Sequence, residues 1–62
     1  MNRYFVPIDS LYIKIAIFKN GEENGYIYAT EGNHGWRCSL SAVLKYSEHW
    51  REITRYEAFL LL

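Results

Sequence analysis

The clearest pattern in the sequence is a strict alternation of side chains between residues 11 and 18. One set of positions is aliphatic throughout: Leu11, Ile13, Ile15 and Ile17. The opposite set is mixed: Tyr12, Lys14, Ala16 and Phe18. Because side chains two residues apart share one face of a strand, this segment predicts a strand whose aliphatic face must be covered. The other face is apolar enough to be partly covered as well, which indicates a central strand.

The next segment has the composition of a tight turn. Residues 19–25, KNGEENG, contain two Asn and two Gly, which tolerate the positive φ angles of hairpin turns. The chain should then return as a second strand from Tyr26 to Thr30. Tyr26 and Tyr28 share one face of that strand, and Ile27 and Ala29 lie on the other.

Two further segments extend the predicted sheet. Residues 31–35, EGNHG, repeat the turn composition and lead into a short strand, Trp36 to Cys38. Residues 3–6 are rich in β-forming side chains, and Pro7 places them at a sheet edge or a strand end because proline cannot donate to the ladder. The sequence therefore predicts an antiparallel meander of three strands, or four if residues 3–6 pair as well.

Helical spacing begins after Ser39. Leu40, Val43 and Leu44 recur at the period of a helix, and Ser39 or Ser41 can cap its first turn. This helix should end near Tyr46.

A second helix is predicted from residue 55 towards residue 61. Thr54 and Glu57 have capping-box spacing, in which each side chain bonds the backbone amide of the other. Residues 47–53 would then form a short extended stretch.

The alternative is one helix over residues 40–62, because several apolar residues follow a heptad-like spacing: Val43, Tyr46, Trp50, Ile53 and Leu60. A capping box contributes about 1 kcal/mol where a helix starts, so two helices are favoured.

These elements predict one small α+β domain over residues 1–62: an antiparallel meander of three to four strands, packed on one face by one or two C-terminal helices. We expect four helical residues to pack against the aliphatic face of the sheet, which includes Ile15: Leu40, Val43, Leu44 and Leu60. A chain of 62 residues buries only about 60% of its unfolded surface. We therefore expect the large rings of its 2 Trp, 6 Tyr and 3 Phe to supply much of the burial.

Charge and cysteine usage narrow the function classes. Seven Lys and Arg balance seven Asp and Glu, so the chain lacks the positive field that gathers nucleic acid or anionic membranes. The single Cys38 cannot form an intramolecular disulfide, which favours a reducing, cytoplasmic location. The sequence contains no apolar run of membrane-spanning length, and its N-terminus does not resemble a signal peptide.

No residue pattern indicates catalysis or a cofactor. His34, Cys38 and His49 are too few and too widely spaced for a structural zinc site without a carboxylate ligand. Cys38 adjoins Arg37, but strand alternation puts the two side chains on opposite faces, so thiol activation is not expected. We therefore predict a protein that is not an enzyme, with no metal, no cofactor and no evident small-molecule substrate.

Aromatic residues left on the uncovered face of the sheet suggest an interaction module. The predicted face contains Tyr12, Phe18, Tyr26, Tyr28 and Trp36. Exposed apolar patches mark interfaces, so we expect docking on another protein or on a second copy, as in stand-alone regulators and inhibitors of this size. The alternative is a small nucleic-acid binder that stacks bases on Tyr26, Tyr28 and Trp36, with Lys14, Lys19 and Arg37 near the phosphates.

Overall fold

Five strands form one antiparallel sheet in the computed structural model, which describes residues 1–31 and 35–61. The strands are β1 (Arg3–Pro7), β2 (Ile13–Phe18), β3 (Asn24–Ala29), β4 (Gly35–Ser39) and β5 (Trp50–Ile53). Their order across the sheet is β4-β3-β2-β1-β5. The predicted α+β class with an antiparallel sheet is confirmed, and the sheet has one strand more than the maximum of four that the sequence predicted.

Two short α-helices follow the meander, α1 (Leu40–Lys45) and α2 (Arg55–Leu61). The Ser39 hydroxyl accepts a hydrogen bond from the Ala42 amide at 3.2 Å and caps α1. A 3-10 turn over Ser47–His49 leads into β5. Two helices are therefore confirmed, and the continuous helix is wrong because Trp50–Ile53 pairs with β1 as a strand.

The capping box at the start of α2 forms as predicted. The Glu57 amide donates to the Thr54 hydroxyl at 3.1 Å, and the Thr54 amide donates to the Glu57 carboxylate at 3.1 Å. These bonds, together with the Arg51 side chain nearby, hold the pKa of Glu57 below its ordinary value. The box satisfies amides at the N-terminus of the helix that have no partner within the helix.

The two helices cover opposite faces of the sheet. Val43 of α1 packs in a buried cluster with Phe5, Ala16 and Phe18. Ala58 of α2 packs in a second buried cluster, with Ile15 and Ile53. The strand register is consistent with these two clusters, because paired residues share a face of the sheet. Phe5 pairs with Ala16, whereas Tyr4 pairs with Ile17. We call the two sides the α1 face and the α2 face.

The predicted packing of both helices on one face is therefore wrong. Val43 and Leu40 pack on the side of Phe18, where the Phe5 and Phe18 rings meet edge to face at 5.8 Å. Leu44 and Leu60, predicted to be core residues, are 45% and 66% exposed. The physical reason is that β2 buries Ala16 and Phe18 on one face and packs Ile15 and Ile17 on the other, so each face needs its own helix.

The regular alternation in β2 covers fewer residues than predicted, because it is interrupted near the start of the strand. Ile13 pairs with Ala29 but Ile15 pairs with Tyr28, so a β-bulge lies between Ile13 and Ile15. A bulge adds one residue and breaks the two-residue period. The strand begins at Ile13, two residues later than predicted, and Leu11, predicted to lie on the covered face, is 90% exposed.

The β2–β3 hairpin turns where the composition predicted. Gly21 has a φ of 78°, and the Glu22 amide donates to the Lys19 carbonyl at 3.0 Å. Gly25 follows as a buried residue of β3, lying under the Phe18 ring. The second predicted turn, over residues 31–35, lies largely outside the described residues.

An ion pair joins the central strand β1 to the edge strand β5. The Arg3 guanidinium donates two hydrogen bonds to the Glu52 carboxylate, at 2.8 and 2.9 Å, and lies 5.3 Å from the centre of the Phe5 ring. This bidentate contact lowers the pKa of Glu52 and raises the pKa of Arg3.

We predict that Gly25→Ala destabilises the fold by about 1 to 3 kcal/mol. A Cβ atom there would collide with the Ile17 carbonyl oxygen and lie 2.5 Å from the Phe18 ring. At Gly35 the nearest atom to such a Cβ lies at 3.4 Å, so Gly35→Ala is the matched control. Urea unfolding measures both. Equal stability of the two variants would contradict the close approach at Gly25.

We predict that Thr54→Ala lowers the free energy of unfolding by about 1 kcal/mol, because α2 loses its cap. Thr54→Ser retains the hydroxyl and should restore most of that loss. Thermal unfolding of both variants tests the prediction. A neutral Thr54→Ala variant would mean that the capping box does not stabilise α2.

We predict that stability falls in acid as the Glu52 and Glu57 carboxylates are protonated. Both have a folded pKa below the ordinary value of 4.5, so their contribution is complete above about pH 4.5 and disappears as pH falls through the folded pKa values. The variant carrying Glu52→Gln and Glu57→Gln should show a shallower decline of melting temperature with acid. An unchanged pH profile would contradict this assignment.

Candidate interaction surface

The five residues predicted to form one aromatic face lie in three different environments. Tyr26 and Tyr28 pair with Ile17 and Ile15, so both belong to the α2 face. Trp36 pairs with Ile27, which packs against the opposite cluster, so Trp36 belongs to the α1 face. Phe18 is 1% exposed and is a core residue, because Val43 of α1 covers its face of the sheet. Phe18 is therefore removed from the candidate surface.

Tyr26 and Tyr28 form a compact exposed pair. Their ring centroids are 6.3 Å apart with a 42° tilt, and the residues are 50% and 40% exposed. Arg37 lies directly opposite Tyr26 on β4, so its side chain joins them on the same face. We define these three residues as the tyrosine surface.

The limited size of α2 explains why the tyrosine surface is exposed. The helix has seven residues, a length of about 10 Å, and it packs over β1 and the neighbouring Ile15 and Ile53. Adjacent strands are about 4.8 Å apart, so β3 and β4 extend beyond the sheet area that α2 covers. Local alternation predicts that the two tyrosines share a face, but not that the helix stops short of them.

Both signs of charge border the tyrosine surface. Glu22, Glu23 and Arg37 line one open hollow beside Tyr26. The Glu23 carboxylate also accepts a hydrogen bond from the Ser41 amide at 2.8 Å, which fixes its position beside α1. Sequence reasoning missed the two carboxylates as part of this surface, although they immediately precede the strand that carries the tyrosines.

Tyr12 and Trp36 belong to a separate aromatic patch. They line a hollow of about 240 Å³ together with Leu11, Ala29, Thr30 and Glu31. Tyr12 is 83% exposed and Trp36 is 52% exposed. The position of Trp36 on the α1 face means that one flat partner surface cannot contact this patch and the tyrosine surface together.

The geometry around Cys38 does not favour nucleophilic chemistry. Cys38 packs against the cluster of Phe5, Phe18 and Val43, and burial raises the pKa of its thiol. A raised pKa lowers the fraction of reactive thiolate. Within residues 1–31 and 35–61, no group of three or more His, Cys, Asp or Glu is close enough to hold a metal. His34 lies outside the described residues, whereas His49 contacts Asp9 at 3.3 Å.

Comparisons of the chain with family models, curated proteins and solved structures find no match. In the described part of the chain, no helix has both the length and the apolar character needed to span a membrane.

Proposed function

We propose that this protein is a non-enzymatic interaction module, of the regulator or inhibitor type, that docks another protein on its tyrosine surface. The observation that carries the proposal is the exposed Tyr26–Tyr28 pair, with ring centroids 6.3 Å apart and Arg37 on the same face. Tyrosine and arginine are enriched among the residues that contribute most to protein–protein binding. We propose no metal or cofactor for this activity.

The backbone beneath the tyrosine surface supports this role. Tyr26 and Tyr28 lie on β3, which pairs with β2 on one side and β4 on the other. A ring with two side-chain torsions, mounted on a paired strand, loses little conformational entropy when a partner covers it. Glu22 and Glu23 line the hollow beside Tyr26 and give the surface a polar edge, which matches the usual apolar centre and polar rim of an interface.

Nucleic-acid binding is the second candidate, and the same residues favour it in part. Two neighbouring rings with an arginine beside them can stack bases and contact a phosphate. Glu22 and Glu23 line the same hollow as Arg37, and their negative charge opposes the binding of a phosphate there. The formal net charge of zero adds no compensating attraction, so a protein partner is favoured.

We also propose a reducing, cytoplasmic setting for this interaction. Cys38 is a free thiol within the described residues and packs as an apolar side chain. Oxidation to a polar species would disturb the packing of the α1 face.

We predict that Tyr28→Ala weakens partner binding by roughly 30-fold, the equivalent of about 2 kcal/mol for an interface hot spot. The matched control is Tyr12→Ala, which removes an even more exposed tyrosine outside the tyrosine surface. The wild type and both variants would be immobilised as bait in native lysate, and captured proteins quantified by mass spectrometry. Proteins lost with Tyr28→Ala and retained with Tyr12→Ala are the expected result.

Two additional measurements make this test decisive. Thermal unfolding must show that Tyr28→Ala is fully folded at the temperature of the capture, because loss of the fold would also abolish capture. Capture is repeated after nuclease treatment and at high salt, which apolar docking tolerates and phosphate contacts do not. Capture that is insensitive to Tyr28→Ala, or that is abolished by nuclease, would contradict the proposal.

A further inference from the structure

Most of the large apolar side chains of helix α2 are exposed to solvent, which is unusual for a helix that packs only on its own sheet. Its one buried residue is Ala58, at 1% exposure. Its larger residues Tyr56, Phe59 and Leu60 are 71%, 76% and 66% exposed. A surface helix ordinarily directs its large apolar side chains towards the core and its polar ones to water.

The three exposed side chains form one continuous stripe. Tyr56, Phe59 and Leu60 are spaced i, i+3 and i+4, so they lie together on the helix surface. Ala58 is about 100° from Phe59 around the axis and faces the sheet instead. A helix that is apolar on both sides is normally buried on both sides.

We propose that this stripe is the contact between two copies of the chain, with the two α2 helices packed antiparallel across a twofold axis. The contact uses residues separate from the tyrosine surface, so it does not depend on the function proposed above. A twofold interface places the same patch of each copy against the other, so the patch must be complementary to itself. A short apolar stripe is complementary to a second copy of the same stripe.

Charge complementarity specifies the antiparallel arrangement. Arg55 lies at the start of α2, one turn before Phe59, and none of the ion pairs among the described residues involves it. The last turn of α2 contains no basic residue to offset its partial negative charge. Antiparallel packing places Arg55 of each copy near the C-terminal end of the other helix, whereas parallel packing would place the two arginines side by side.

The available area fits a dimer that forms reversibly. The exposed parts of Tyr56, Phe59 and Leu60 amount to on the order of 400 Å² per copy, about half of what each partner in a stable complex buries. An interface of this size is typical of weak association, so the dimer should form only at high concentration. The net charge of zero means that long-range repulsion does not oppose association.

Sedimentation equilibrium of the full chain tests the proposal. We expect the wild type to shift from its monomer mass of 7.4 kDa towards twice that value as its concentration rises from micromolar to millimolar. Phe59→Glu should raise the dissociation constant at least 100-fold, because it places two carboxylates in the apolar contact. Tyr12→Glu is the matched control, a highly exposed aromatic residue outside the stripe, and should associate like the wild type. Circular dichroism verifies that each variant is folded.

A second variant tests the orientation of the helices. Arg55→Ala should weaken an antiparallel dimer several-fold, since each copy loses a cation near the other helix terminus. The same change would strengthen a parallel dimer by removing repulsion between the two arginines, and that result would overturn the antiparallel arrangement.

Three other results would overturn the dimer itself. They are a wild type that stays monomeric at all concentrations, a Phe59→Glu variant that still dimerises, and a monomer whose stripe binds lipid vesicles or a different protein instead. Tyr28→Ala should leave the dimer intact, so failure of this proposal and failure of the proposed function are distinguishable.

Discussion

The rest of the structure depends on the need to cover two faces of one small sheet. The central strands β1 and β2 carry apolar side chains on both sides, with Phe5 and Phe18 on one and Tyr4 and Ile15 on the other. A sheet that is apolar on both faces is stable in water only if both are covered. With 62 residues, the chain supplies only a short helix for each.

Strand β5 is what allows one C-terminal segment to cover both faces. Helix α1 ends on the side of Phe18, and the chain then runs along the free edge of β1 as Trp50–Ile53 before α2 begins on the side of Ile15. A single helix over residues 40–62 would have covered one face only. The Arg3–Glu52 ion pair joins β5 to β1, and the Thr54 capping box starts α2 directly after β5.

Short residue patterns in the sequence predict the strands, the turn and the helix starts well. They do not predict how distant strands pair with one another. The alternation through Ile15, the turn at Gly21 and the capping box at Thr54 each depend on residues within a few positions. The bulge before Ile15 and the face shared by Tyr26 and Ile17 depend on how one strand registers with another, which no short segment encodes. The candidate surface was consequently predicted as one face, although its residues divide between two.

The short length of the two helices also explains why aromatic residues of the sheet are exposed. Helices of six and seven residues cannot span a five-stranded sheet, so apolar side chains remain exposed at the edge of each covered area. Tyr26 and Tyr28 are exposed because they lie beyond the part of the sheet that α2 covers. In this account, the exposed surface available for docking is a direct consequence of how few residues cover the sheet.

The most direct test is the set of nuclear Overhauser contacts from two methyl-bearing residues, Val43 in α1 and Ala58 in α2. We expect contacts from the Val43 methyls to the Phe5 and Phe18 rings, and from the Ala58 methyl to Ile15 and Ile53. Contacts from Val43 to Ile15 would place both helices on one face and contradict the central claim that each face of the sheet has its own helix.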